Sequence, residues 1–266
     1  GGMWNGFNSD ATLEMVTFTG NNAGVTAALL NTNDSNITLT NGTFTANITD
    51  FGTGDEVISN AASTAILTNV TIVGNTSRGI YNSNNSNVTI RNSIIWGNRG
   101  EQIVNVSNSY SGVSYSIVEN GYSGVGNFDA NPLLGPLQNN GGFTQSIAIL
   151  PGSPAIDAGN NVYCPTTDQR GITRPQANGC DIGAYEYEGA TYYVKWNSTG
   201  ANNGSSWTDA YTDMQAALSA SSVGDEIWVA VGTYKPTPGT DRTISFTLKN
   251  GVAVYGGFAG TETVLE

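Results

Sequence analysis

Histidine is absent from this 266-residue chain and basic residues are scarce, with 9 Lys and Arg against 21 Asp and Glu and a net charge of -12. The few cations are dispersed, so the clustered positive charge that nucleic acid or an anionic membrane surface demands is missing. No apolar run approaches the ~20 residues of a membrane-spanning helix, and no membrane insertion is expected. No leader segment is legible, although the chain opens inside a motif, "GGMWNGF". Cysteine occurs twice, as Cys164 and Cys180. With no His and no further Cys a zinc site is excluded, and the pair reads as a disulfide. That implies an oxidising compartment and contributes about 3 kcal/mol on the chain-entropy view.

What is present in quantity is Asn, Thr, Ser and Gly, and they recur in register. The segments "LEMVTFTGN", "LTNGTFTAN", "LTNVTIVGN", "IRNSIIWGN" and the degenerate "VSYSIVEN" end at Asn21, Asn47, Asn75, Asn98 and Asn120, with spacings of 26, 28, 23 and 22. Counting back three from each Asn finds Phe18, Phe44, Ile72, Ile95 and Ile117; counting back eight finds Leu13, Leu39, Leu67 and Ile90. A further polar column, Asn41, Asn69 and Asn92, stands six before the Asn of the middle rungs. A fixed motif at a variable period indicates stacked coils with one tight turn and free loops. The alternation of Val16 and Phe18 with Thr17 and Thr19 has the period of a strand. The fold these rungs imply is all-β, a solenoid of stacked coils. Stacked at about 4.8 Å, the terminal Asn residues would join their amides into a ladder.

Beyond Asn131 the sequence departs from the rung pattern. The strings "NPLLGPLQNNGGFTQSIAILPGSPAIDAGNN", "CPTTDQRGITRP" and "GCDIGAYEYEG" resemble the choice-of-anchor Q domain, which closes many bacterial β-helix proteins of the pectin-lyase-like group. The resemblance spans about Asn131 to Glu188. It implies that the all-β fold is a right-handed parallel β-helix with a short capping helix, secreted and displayed at the cell surface, and it brings no catalytic residues. Asp157, Asp168 and Asp181 lie near Arg170 and Arg174, where Arg–carboxylate pairs would pin irregular backbone. This segment is expected to seal the lower end of the solenoid. From Thr191 the chain is similar to the beginning of the same group of proteins. A helix is expected with Trp207, Tyr211, Met214 and Leu218 on one face and Ser206 with Asp209 at its start. Strands are expected in "EIWVAVGTY", "TISFTLKN" and "VAVYGGF". The domain division is therefore 1–128 for the rungs, 129–188 for the closing cap, and 189–266 for the opening cap helix and first coils of a further β-helix unit.

This inverted order of parts suggests either tandem units in a longer chain or copies stacked head to tail. The expected function is that of an extracellular structural protein, a building block of a surface fibre or layer. The alternatives are a monomeric surface adhesin or carbohydrate-binding β-helix, and behind them a polysaccharide lyase or hydrolase. No enzyme activity is expected, because Asp10, Glu14, Asp34, Asp50, Asp55, Glu56, Glu101 and Glu119 share no rung position from which a carboxylate pair could act. Thr17, Thr19, Thr43 and Thr45 form a two-rung threonine array that continues irregularly. Val73, Trp96 and Val118 make an outward apolar column, a candidate lateral interface. No cofactor is expected. Calcium is the one ion that the loop acids Asp129, Asp157, Asp168 and Asp181 would suit. Eleven Asn-X-Ser/Thr sequons, among them Asn36, Asn47, Asn69, Asn87 and Asn197, permit surface glycans.

Overall fold

The computed structural model describes residues 1–49, 55–176, 179–222, 224–239 and 241–263; Asp50 lies outside them. It divides into two compact units, Gly1–Tyr187 and Glu188–Glu266.

The first unit is a parallel β-solenoid. One face is a five-stranded sheet formed by Met3–Asn5, Thr26–Thr32, Glu56–Ala61, Arg78–Ser83 and Ile103–Asn105, one strand from each coil. A second, seven-stranded sheet stacks Asp10–Thr19, Asn36–Thr45 and Thr64–Val73, and then the split strands Asn87–Arg91 with Ile94–Trp96 and Tyr110–Ser114 with Ile117–Val118. Every pairing within these two sheets is parallel. In each coil the second sheet bends at one residue with left-handed backbone: Met15, Asn41, Asn69, Asn92 and Tyr115, at φ 54, 55, 52, 48 and 49°. Asn tolerates this conformation better than most side chains, which accounts for its recurrence at the three middle corners.

Between the two sheets runs the core. The column Leu13, Leu39, Leu67, Ile90, Val113 is continuous in register, and so is Phe18, Phe44, Ile72, Ile95, Val118. Phe18 and Phe44 stack with centroids 4.8 Å apart and planes 9° from parallel. Each fully buried Leu, Ile or Phe contributes about 1.5–3 kcal/mol, and the repeat ensures that like meets like at every level.

The fifth coil departs from the register expected of it. Val118, not Ile117, follows Ile95, while Ile117 pairs with Ile94 and stands in the column of Thr71. The last rung is one residue shorter than its predecessors between corner and terminal Asn. A slip of one residue exchanges the inner and outer faces of a strand.

Residues 129–187 do not cap the end of the solenoid. The described residues among them lie along its side as a strap that spans the first four coils. Asn160 bonds Asn92, Asp181 and Gly183 bond Asn69, Thr167 bonds Asn41, and Gln145 and Gln169 bond Thr17. The threonine array accordingly lies beneath the strap: Thr43 and Thr71 are buried, Thr43 donates to Gln169 Oε1 at 2.6 Å, and Thr71 Oγ1 accepts from the backbone N–H of Ala184. At the lower end the turn after the fifth coil folds against the last rung. There Tyr122 packs on the core, its hydroxyl accepts from Asn105 Nδ2, and Asn127 accepts from Ser116 N.

The second unit has a three-stranded parallel sheet, Thr191–Val194, Glu226–Ala230 and Ala253–Phe258, in that order. The helix is shorter than expected, Met214–Ala220, and is capped by Asp213, whose side chain accepts from Gln215 N. Ser206 and Asp209 bond each other in the loop before it. Trp207 stands outside the helix and packs edge-on to Tyr193 at 4.8 Å. No strand forms in "TISFTLKN", although Phe246 packs on the unit's core. Lys249, whose ammonium donates to the carbonyls of Ser219 and Ser221, ties this segment to the helix end instead.

Candidate functional site

The expected amide ladder runs through four of its five members. Asn21 Nδ2 donates to Asn47 Oδ1 at 2.9 Å, Asn47 to Asn75 at 3.0 Å, and Asn75 to Asn98 at 2.7 Å. The same amides also tie into the preceding coil, Asn47 to Phe18 O and Asn75 to Phe44 O. Asn120 is not a member. The register slip turns it outward into an exposed left-handed turn at φ 66°. Its place is taken by Gln102, which accepts from Asn98 at 2.8 Å and donates to Glu119 Oε2 at 3.0 Å.

A second ladder went unread in the sequence. Asn5, Asn31, Asn60, Asn82 and Asn105 are joined Nδ2 to Oδ1 at 2.9, 3.2, 2.9 and 2.9 Å. Its signal was available: each member stands fifteen or sixteen residues before Asn21, Asn47, Asn75, Asn98 or Asn120. Both ladders have one polarity, with each amide donating toward the next coil.

The first coil is less covered than the second. Met3–Asn5 pairs only with the second coil, and so does Asp10–Thr19. The core columns end there on Met3, Leu13, Val16 and Phe18, all only partly buried, whereas Leu39 and Phe44 one level down are fully buried. Trp4 and Phe7 are exposed beside them, 59% and 71%, and meet edge to face at 5.4 Å.

The lateral stripe is corrected. Val73 and Trp96 are in register, but Val118 faces Ile95, and both Val73 and Val118 are buried. The slip moves Val118 into the core, so the three residues do not form an exposed surface.

Along the strap, Cys164 and Cys180 are disulfide-bonded with Cα atoms 6.0 Å apart. Arg174, buried, pairs with Glu186 at 2.7 Å, and Arg170 pairs with Asp168 at 2.7 Å. Arg170 also lies over the Tyr185 ring. Burial, and next the neighbouring Glu186, push the Asp181 carboxyl up to about 8, and burial raises Glu186 as well. Of the acids offered for calcium, Asp168 accepts from the N–H groups of Arg170, Ile172 and Glu186, and Asp181 from those of Asp157 and Tyr187. Among the described residues no three His, Cys, Asp or Glu converge as metal ligands. Asn36, Asn87 and Asn197 are exposed, but Asn47 and Asn69 are fully buried and cannot carry a glycan in the folded chain.

A family described as the right handed beta helix region matches residues 3–149, more than half of the chain. The chain belongs to the right-handed β-helix family. The all-β, stacked architecture expected from the repeats and the right hand implied by the resemblance are both met in this β-helix. No curated protein and no solved structure matches it.

Proposed function

We propose that this β-helix is an extracellular structural protein, a building block of a surface fibre or layer assembled by head-to-tail stacking of coils. The observation that carries the reading is the pair of amide ladders, Asn5 to Asn105 and Asn21 to Asn98, which join one coil to the next in a single direction along the solenoid. A heterologous, head-to-tail contact between such coils extends without closing.

The disulfide supports an oxidising location, and the resemblance of Asn131–Glu188 to the choice-of-anchor Q domain adds bacterial surface display. No catalytic role is proposed: Glu56, the one acid buried among the solenoid strands, bonds Thr26.

Electron microscopy of the 266-residue protein in negative stain, with sedimentation velocity across a concentration series, tests the proposal. Filaments or a concentration-dependent ladder of linear oligomers are expected. A monomer at every concentration would overturn it.

A further inference from the structure

Three Asn side chains at the left-handed corners of the second, third and fourth coils face the strap, and each has an amide donor and a carbonyl acceptor to satisfy away from bulk solvent. Asn92 meets both needs on the strap backbone: its Nδ2 donates to Asn160 O at 3.1 Å and its Oδ1 accepts from Asn160 N at 2.9 Å. Asn69 gives its Nδ2 to Asp181 O and Gly183 O, and its Oδ1 accepts from Asn92 Nδ2 at 3.4 Å. Asn41 is matched on one side only. Its Nδ2 donates to Thr167 O at 2.8 Å, but the Asn69 amide that would continue the column to its Oδ1 is turned to the strap instead.

Among the described residues two buried side-chain atoms have no hydrogen-bond partner, Asn41 Oδ1 and Arg174 Nε. Both residues are almost wholly buried, 0% and 6% exposed. One atom accepts and the other donates, and the same stretch of strap adjoins both. Arg174 N donates to Thr166 O, and the neighbouring Thr167 O is the one that Asn41 holds. Farther along the Arg174 side chain, Nη1 and Nη2 donate to Asp181 O and Gly183 O, the carbonyls that Asn69 holds one coil away from Asn41. Nε is the guanidinium nitrogen nearest the Arg174 backbone, which places it on the side of the Thr166–Thr167 contact.

The chemistry of the two atoms selects the ligand. An anion would accept from Nε but has nothing to give to Oδ1, and a cation would suit Oδ1 but stand against the guanidinium. Water supplies both an O–H and a lone pair, and buried water characteristically bridges polar groups that the chain leaves unmatched. We infer that Asn41 and Arg174 form a binding site for one buried water molecule, which accepts from Nε–H, donates to Asn41 Oδ1, and so joins the corner of the second coil to the strap. The site gives Asn41 the two-sided attachment that Asn92 has by direct contact. It does not depend on how coils of different copies meet.

Two measurements on the unaltered 266-residue protein test the site. In a crystal structure that resolves ordered water, one water is expected within hydrogen-bond distance of both Asn41 Oδ1 and Arg174 Nε. In solution, the Arg174 Nε–H proton is expected to exchange slowly and to show a magnetisation-transfer cross peak to water with the sign of a molecule that tumbles with the protein. Asn41→Gly removes the acceptor at a corner whose φ of 55° suits glycine, and loss of that cross peak is expected. The inference is overturned if Asn41 Oδ1 and Arg174 Nε bond each other directly, if the space between them is empty or holds an ion, or if the water touches only one of them. A cross peak of unchanged sign and intensity in Asn41→Gly would equally remove Asn41 from the site. Should that variant fail to fold, the two measurements on the unaltered protein decide alone.

Discussion

Asn69 and Arg174 grip the same two carbonyls. The Asn69 amide nitrogen lies 2.9 Å from Asp181 O and 3.0 Å from Gly183 O, and the Arg174 guanidinium donates to these oxygens at 3.0 and 2.8 Å. One donor comes from the corner of the third coil and the other from the strap itself. The guanidinium, held by Glu186, shapes the turn that the solenoid amide then recognises.

Removing either partner should loosen the strap. Asn69→Ala deletes two buried hydrogen bonds and leaves a void at a left-handed corner, so a loss of about 2–4 kcal/mol is expected for the first unit. Urea denaturation followed by circular dichroism measures it. A double-mutant cycle with Glu186→Gln should show coupling, since both changes act on the same turn.

The Asp181 carboxyl gives this region a pH dependence of definite sign. Its folded value of about 8 exceeds the ordinary 3.8 because of burial and the nearby Glu186. The folded state therefore binds a proton that the unfolded chain releases, and the contribution is complete below about pH 4 and lost as pH rises toward about 8. The first unit should melt at a higher temperature at pH 5 than at pH 8.5. Asp181→Asn should flatten the difference; an unchanged slope in that variant would assign it to other groups.

Core position should decide the cost of losing a ring. Phe44 is fully buried between two coils, and Phe44→Ala is expected to cost about 3–5 kcal/mol. Phe18→Ala, at a half-buried position in the first coil, should cost clearly less. Urea denaturation of the two variants compares the costs.

Cys164 and Cys180 enclose Thr167, Gln169 and Arg174, which touch the solenoid or shape the turn that does. Replacing both cysteines by Ala should destabilise the first unit by about 3 kcal/mol. Limited proteolysis is expected to cut within 165–179 before it cuts the coils.

Expressed in a host that glycosylates Asn-X-Ser/Thr, the folded protein should carry sugar at Asn36, Asn87 or Asn197 and none at Asn47 or Asn69. Peptide mapping by mass spectrometry reads the occupancy directly.

Much of the solenoid was legible because its information is local. Each rung carries its own alternation and its own terminal Asn, and stacking simply sets equal residues over one another. The columns through Phe44, Leu39, Asn47 and Asn75 follow from counting. The ladder through Asn31 and Asn60 obeys the same rule, but its members sit in strands whose loops vary in length, and a count begun from one Asn column passed over it. The strap was not legible. Its contacts join residues more than a hundred positions apart, such as Thr43 with Gln169 and Asn69 with Gly183, and nothing in the composition of 129–187 separates an end cap from a side strap. Asn120 and Val118 show the same limit at the scale of one residue. The sequence by itself determined that coils stack and which residues repeat, because a β-coil is specified within its own twenty-odd residues. Only the tertiary structure decided the register of the fifth coil and the face that the strap covers, because those depend on which of two nearly equivalent packings buries the last apolar pair and satisfies the corner amides.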